Sequence, residues 1–188
     1  MVTKEEIYGI IDAIGALTLD EIDQVVKEMS LIRGDVPMAL PSIRSICEEA
    51  EHENLIVAVS WEEVKGMDES DYSYYISGPN AFPEVPFELS EVIDILELSK
   101  REVDMSKVST RINRNLHKRI KNLESKICSV SKGKVLSHDL ENLEHRYSDI
   151  LNQYYDHSFW LPDDMSEVEA EIGELSSRIE ALRAAQGI

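Results

Sequence analysis

Apolar residues recur at helical spacing from the start of the chain: Ile7, Ile10, Ile11 and Ile14 share one face, Thr3 and Glu6 precede them, and Gly15 ends the run. A hydroxyl that accepts a bond from a free helix N–H, answered three residues on by a carboxylate that accepts one in return, closes a helix N-terminus, so the pattern predicts a first helix here. Thr18 and Glu21 repeat the device ahead of Leu19, Ile22, Val25, Val26 and Met29, and the turn-prone Arg33-Gly34-Asp35 closes a second helix. Pro41-Ser42 opens a third, running to His52, with Ile43, Ile46, Cys47 and Ala50 as its buried face and Ser42 as its cap. The period then changes. LIVAVSW at 55–61 and DYSYYIS at 71–77, where Tyr72, Tyr74 and Ile76 alternate onto one face, predict two strands joined by the polar tip EEVKGMDES.

Pro79, Pro83 and Pro86 disfavour both helix and central strand, which makes 79–87 the expected linker. From Leu89 the pattern is helical and continuous. Val92, Leu96 and Val103 begin a stripe that Ile112, Leu116, Ile120, Leu123, Ile127 and Val130 extend in steps of four and three. Gly133 interrupts it, Ser137 caps the restart, and Leu136, Leu140, Leu143, Tyr147, Ile150 and Tyr154 form a second seam. Pro162 and an Asp164-to-Glu167 capping box open a last helix, with Met165, Val168, Ile172, Leu175, Ile179 and Leu182 at alternating steps of three and four. This last seam, about two and a half heptads long, is short for an isolated coiled coil, so it packs on the other helices or on a second copy of itself. The expectation is an oligomer, a dimer above all, joined through Ile112, Leu116, Ile120, Leu123, Ile127, Met165, Val168, Ile172, Leu175, Ile179 and Leu182.

The fold class that follows is mainly α: a domain at 1–78 with a small β-hairpin, able to fold by itself, the linker at 79–87, and an antiparallel helical bundle or coiled coil at 88–188. The order helix, helix, helix, strand, tip, strand over residues 3–78 resembles the winged-helix domain. In that family the third helix typically reads the major groove and the hairpin is the wing. The resemblance is one of element order; no residue motif of a winged-helix subfamily accompanies it, so no family site is carried over. The third helix departs from the DNA-binding members, since it offers Arg44 against Glu48, Glu49 and Glu51, with Glu53 just beyond. Phosphate repels such a surface, which favours a protein-binding or dimerisation role over direct contact with DNA.

Charge sharpens this picture. The 188 residues carry a net −18, but residues 1–98 hold 5 basic and 22 acidic side chains, residues 99–134 hold 11 and 3, and residues 135–188 hold 3 and 12. The basic charge is concentrated in one segment. On a continuous helix Lys100, Lys107, Arg111, Arg114, Lys118 and Lys121 form a stripe apart from the Ile112 seam. Glu167, Glu171 and Glu174 on the last helix supply counter-charges, so pairing inside the chain or with a partner protein is favoured over nucleic acid, and a membrane surface comes last.

Candidate chemistry is sparse. His138, Glu141, Glu144 and His145 lie on neighbouring turns, but the paired Glu-x-x-His motifs of helical di-metal sites are missing, and a solvated face explains them better than a metal. Cys47 and Cys128 have neither zinc nor redox spacing; there is no GxSxG, no GxxxxGK[ST] and no GxGxxG. Asp163-Asp164 reads as a helix start, and Tyr147, Tyr154, Tyr155, Phe159 and Trp160 as a bundle end or a docking place for a partner. No catalytic residue, cofactor or metal is expected. With no basic leader and no stretch near the ~18 apolar residues of a membrane span, the chain is expected to be cytoplasmic, without membrane insertion. The favoured function is a non-enzymatic adaptor that oligomerises through its C-terminal helices. The alternatives are a winged-helix transcription regulator binding DNA as a dimer, and a structural component of a larger, viral, assembly.

Overall fold

A computed structural model describes residues 2–131 and 137–186, which divide into two compact units, Met1–Met105 and Ser106–Ile188. Among the described residues the fold is mainly helical, with seven α-helices and one small antiparallel sheet carrying a winged-helix-like hairpin.

In unit 1, α1 (Lys4–Ile14) and α2 (Leu19–Arg33) begin at the two capping boxes. The Thr3 hydroxyl accepts the Glu6 N–H at 3.2 Å while the Glu6 carboxylate accepts the Thr3 N–H at 2.9 Å, and Thr18 and Glu21 do the same at 3.3 and 2.9 Å. Between the helices lies a two-residue strand, β1 (Leu17–Thr18), and α2 ends on Gly34 in the left-handed conformation. The third helix, α3 (Leu40–His52), starts earlier than expected. Ala39 occupies the cap position without a side-chain bond, and Ser42, the expected cap, instead donates its backbone N–H to the Ala39 carbonyl at 2.9 Å. Pro41 is tolerated because its missing N–H would be unsatisfied in a first turn anyway.

β2 (Ile56–Val59) pairs with β3 (Tyr74–Ser77) from Ile56 opposite Ser77 to Val59 opposite Tyr74, and β1 adds to the far side of β3, giving the order β1-β3-β2. Tyr74 and Ile76 face the interior as their alternation requires; Tyr72 lies before the strand and is exposed. The three helices close over Ile7, Ile10, Ile11, Ile22, Val25, Met29, Ile43, Cys47 and Ile56, each almost wholly buried.

Two expectations fail past the hairpin. The proline-rich 79–87 segment is a strap packed within unit 1: the Glu84 N–H donates to the Glu5 carbonyl at 3.2 Å, Pro86 is buried, and α4 (Leu89–Ile95) follows with Leu89 and Val92 in the same core. The helix expected to run on from Leu89 stops there. Glu97 adopts a φ of 51°, the Leu98 N–H turns back to the Ile93 carbonyl, and residues 101–104 lie extended along the end of α1 and the base of the wing. The Arg101 N–H donates to the Ile14 carbonyl at 3.0 Å and the Asp104 N–H to the Glu63 carbonyl at 2.7 Å. Val92, Leu96 and Val103 therefore belong to unit 1 and do not share a stripe with Ile112.

Unit 2 consists of α5 (Met105–Ser131), α6 (Ser137–Ser158) and α7 (Ser166–Gln186). The expected break at Gly133 and seam position Leu136 lie outside the described residues, as does the Ser137 side chain. His117 meets Glu171 and Glu124 meets Arg178, the same sequence offset each time, so α5 and α7 run parallel. Arg119 meets Gln153, and Glu144 meets Arg183 while Tyr154 meets Glu169, so α6 runs antiparallel to both. At the start of α7 the Asp164 carboxylate accepts the Ser166 N–H at 3.0 Å.

All eleven residues of the expected oligomerisation seam are buried inside this single-chain bundle, from Leu175 at 0% exposure to Leu182 at 9%. Leu140, Leu143 and Ile150 of α6 complete the core. The seams satisfy one another, and the apolar face thought to need a second copy is already covered. No helix among the described residues is long and apolar enough to cross a membrane.

Candidate interaction surface

The basic stripe becomes a surface because α5 is held by its opposite face. At ~100° per residue, Ile112, Leu116, Ile120, Leu123 and Ile127 centre on one side of the helix, and Lys107, Arg111, Arg114, Lys118 and Lys121 centre about 180° away, within an arc of about 80°. Packing the first set into the bundle leaves Lys107, Arg114, Lys118 and Lys121 exposed and Arg111 half-buried, and the row extends over about 21 Å of helix. Lys100 does not join it. It lies before α5 begins, in the extended stretch of unit 1.

The expected counter-charges do not reach the stripe. Glu171 lies 2.7 Å from the Nδ1 of His117, within hydrogen-bond distance, and among the described residues Glu124 and Arg178 form an ion pair between α5 and α7 at 3.2 Å. Arg114, Lys118 and Lys121 are exposed and meet no carboxylate within ion-pair distance among the described residues. Lys107 and Arg111, nearer the start of the helix, each have an interaction of their own. The reason is rotational: the parallel alignment of α5 and α7 turns the last helix's glutamates toward the flank of α5 and leaves its outer face uncovered.

The positive charges of unit 1 are used differently. Arg101 forms two bonds to the Glu21 carboxylate, at 2.5 and 2.7 Å, one to the Ala16 carbonyl at 3.1 Å, and lies 5.7 Å from the centre of the Tyr74 ring. Burial opposes ionisation of Glu21, but the bonds from Arg101 and Thr18 outweigh it and hold its pKa below the ordinary value. Arg33 bridges Glu88 and Glu6 with two bonds to each, all between 2.7 and 3.0 Å, and the bond from Arg33 is the main reason the Glu6 pKa is lowered. These cations are structural, whereas Arg114, Lys118 and Lys121 on α5 meet no such partner among the described residues.

On α3, Arg44, Glu48, Glu49 and Glu51 are all exposed, so the helix that would enter a groove presents mostly carboxylates. Burial pushes the Cys47 thiol up to about 12, leaving it protonated and unreactive, and Cys128 is an exposed single thiol. His138, Glu141 and His145 are solvated on α6, and no three His, Cys, Asp or Glu side chains among the described residues come together as a metal site.

The aromatic group at the end of α6 is split. Tyr154 contacts Tyr155 and His157 contacts Trp160, while Phe159 is exposed. His157 is buried with its Nδ1 lacking a hydrogen-bond partner; burial first, with Arg111 nearby, lowers its pKa against the opposing pull of Asp156. Sequence reasoning missed one surface, the exposed Phe82, Val85 and Phe87 of the strap. The available signal was three bulky apolar residues in a segment otherwise read as linker.

The chain belongs to a family of unknown function (DUF7109), whose model matches residues 5–177. No curated protein matches it. Among solved structures it is similar to Bacillus subtilis PadR in complex with operator DNA, at 14% identity over 92% of this chain and 98% of that one, with a TM-score of 0.32. Likeness at that level leaves fold and function to be argued from the chain's own geometry.

Proposed function

We propose that the protein is a non-enzymatic interaction and assembly module in which the outer face of α5 engages an acidic protein surface, that of a second copy included. The observation behind this reading is the row Arg114, Lys118 and Lys121, exposed opposite the bundle core and without a carboxylate among the described residues, in a chain of net −18. In so acidic a chain, glutamates facing these three cations would lower the local energy, yet the one carboxylate at helical reach, Glu124 three residues past Lys121, is held by Arg178. The 22 acidic side chains of residues 1–98 offer a matching surface on another copy. Because the apolar seams are already covered, association rests on charge and is weakened by salt.

Sedimentation of the wild type and of Arg114→Glu/Lys118→Glu/Lys121→Glu at ionic strengths of about 20 mM and about 500 mM tests the proposal. The wild type should exceed the monomer mass at low salt and approach it at high salt, and the variant should stay monomeric in both. Parallel anisotropy titrations with a generic DNA duplex and an RNA strand should show weak binding. A monomeric wild type that binds nucleic acid tightly, with binding lost in the variant, refutes it.

A second reading, a winged-helix regulator using unit 1 on DNA, is favoured by one observation: the sequence α1, β1, α2, α3, β2, β3 with the sheet ordered β1-β3-β2. The carboxylates along α3 stand against it. A gel shift with residues 1–105 at low salt separates the two, since binding with a steep salt dependence would promote the regulator.

A further inference from the structure

The strap of unit 1 exposes an apolar surface that the fold itself does not use. Phe82, Val85 and Phe87 are 81%, 57% and 98% exposed. They do not sit on a loose loop. The Glu84 N–H is bonded to the Glu5 carbonyl, Pro86 is buried, and Arg33 grips Glu88 beside Phe87 at 2.9 and 2.7 Å. α1 admits the strap only because residue 9 is glycine: a Cβ there would stand 2.1 Å from the Glu84 carbonyl oxygen. A backbone fixed at these points aims three apolar side chains at water. Two phenyl rings and a valine present on the order of 400 Å² of surface, the size at which exposed patches are often functional.

The surroundings say what covers it. Between residues 82 and 97 the charged side chains are Glu84, Glu88, Glu91, Asp94 and Glu97, with no Lys or Arg. Glu84, Glu91 and Asp94 are exposed, while Glu88 is already held by Arg33. A second copy meeting this face with its own strap would bring the same carboxylates against it, and like charges in apposition oppose association; the outer face of α5 brings positive charge but no apolar side chain to cover the two rings. We propose that the strap is the docking site for a basic, apolar-anchored peptide segment of another protein. Its hydrophobic side chains cover Phe82, Val85 and Phe87, and its Lys or Arg flanks meet Glu84, Glu91 and Asp94. The fixed backbone lowers the ordering cost of binding on this side of the contact. The site lies in unit 1 and does not depend on the α5 face.

The test titrates full-length protein into a fluorescein-labelled amphipathic peptide of leucine and lysine, ~18 residues long, and reads anisotropy. Phe82→Ser/Phe87→Ser should weaken binding about ten-fold or more with circular dichroism unchanged, since both side chains are outside the core. Phe87→Leu, which keeps an apolar side chain, should stay within about two-fold of wild type. A lysine-only peptide of equal charge should bind weakly and equally to both proteins, and a leucine/glutamate peptide should not bind. The proposal is overturned if the double variant binds like wild type, or if the lysine-only or leucine/glutamate peptide binds as tightly as the leucine/lysine one. Self-association of the wild type through these residues, abolished in the double variant, also overturns it, because the occupant would then be a second copy.

Discussion

Replacing Arg101 with methionine should unlock unit 1 in a way that depends on pH. Arg101 and Glu21 retain 23% and 20% side-chain exposure, so the pair is mostly but not wholly withdrawn from water. Removing one partner of a fully buried pair costs about 3–5 kcal/mol, and the residual exposure here brings the expectation down to about 2 kcal/mol. For a unit of this size that corresponds to a fall in Tm of roughly 10 °C. Trp61 reports on unit 1 and Trp160 on unit 2, so urea melts followed by fluorescence in a Trp160→Phe background isolate the affected unit. The Glu21 pKa is lowered from its ordinary 4.5, so its contribution is fully present above that value and lost as pH falls through the folded-state pKa. The penalty measured at pH 7 should therefore shrink on acidification, to what the Ala16 carbonyl and Tyr74 contacts alone provide. Glu21→Gln preserves the capping geometry and should cost a similar amount, and the double variant should be little worse than either single one. A pH-independent penalty, or additive single effects, would refute the coupling.

Leu175→Ala should destabilise unit 2 by about 2–5 kcal/mol in thermal melts without changing the mass seen by light scattering, because Leu175 is fully buried within one chain. Gly9→Ala, a favourable exchange in an open helix, should lower stability by about 1–3 kcal/mol here, since the added methyl meets the strap's Glu84 carbonyl. The His157 pKa is depressed from 6.5, so the neutral ring's contribution holds above that pH and is lost as pH falls below it; His157→Phe should flatten the stability profile of unit 2 below pH 6.5. Residues 1–78 alone should be markedly less stable than residues 1–105 by circular dichroism, because the shorter piece lacks Leu89, Val92, Glu88 and Arg101.

What the chain revealed in advance was local. The Thr3-Glu6 and Thr18-Glu21 boxes depend on residues three apart, and the alternation of Tyr74 and Ile76 depends on the strand's own pleat, so all three could be read without knowing what they pack on. β1 has only two residues and exists because Tyr74 and Tyr75 pair with it, which no window around Leu17 contains. The prolines at 79, 83 and 86 suit a free linker and a pinned strap equally well; Arg33 and Gly9, far away in sequence, decide between them. Likewise Leu96 continues a helical period, yet backbone bonds to α1 and the wing keep the stretch after it extended. The basic stripe was legible as a row. Whether it is neutralised depends on the rotation of α7 against α5, which places Glu171 at His117 and away from Arg114 and Lys118. The seams were legible as buried, but periodicity cannot tell which chain does the burying.

The late strap and the extended stretch after it bear on how the protein is made. Ribosomes deliver a chain from its N-terminus at about 5–20 residues per second, so the segment between the hairpin and Asp104 follows β3 out of the tunnel by roughly one to five seconds. During that interval Glu21 lacks Arg101, Arg33 has Glu6 but not Glu88, and the cavity that Leu89 and Val92 will fill stands open. The nascent helices and sheet have formed every local contact but not the closing ones. Chaperones and proteases that sample exposed apolar surface have their best access in this window, and codon choice around residues 79–104 becomes a lever on yield that leaves the finished fold untouched.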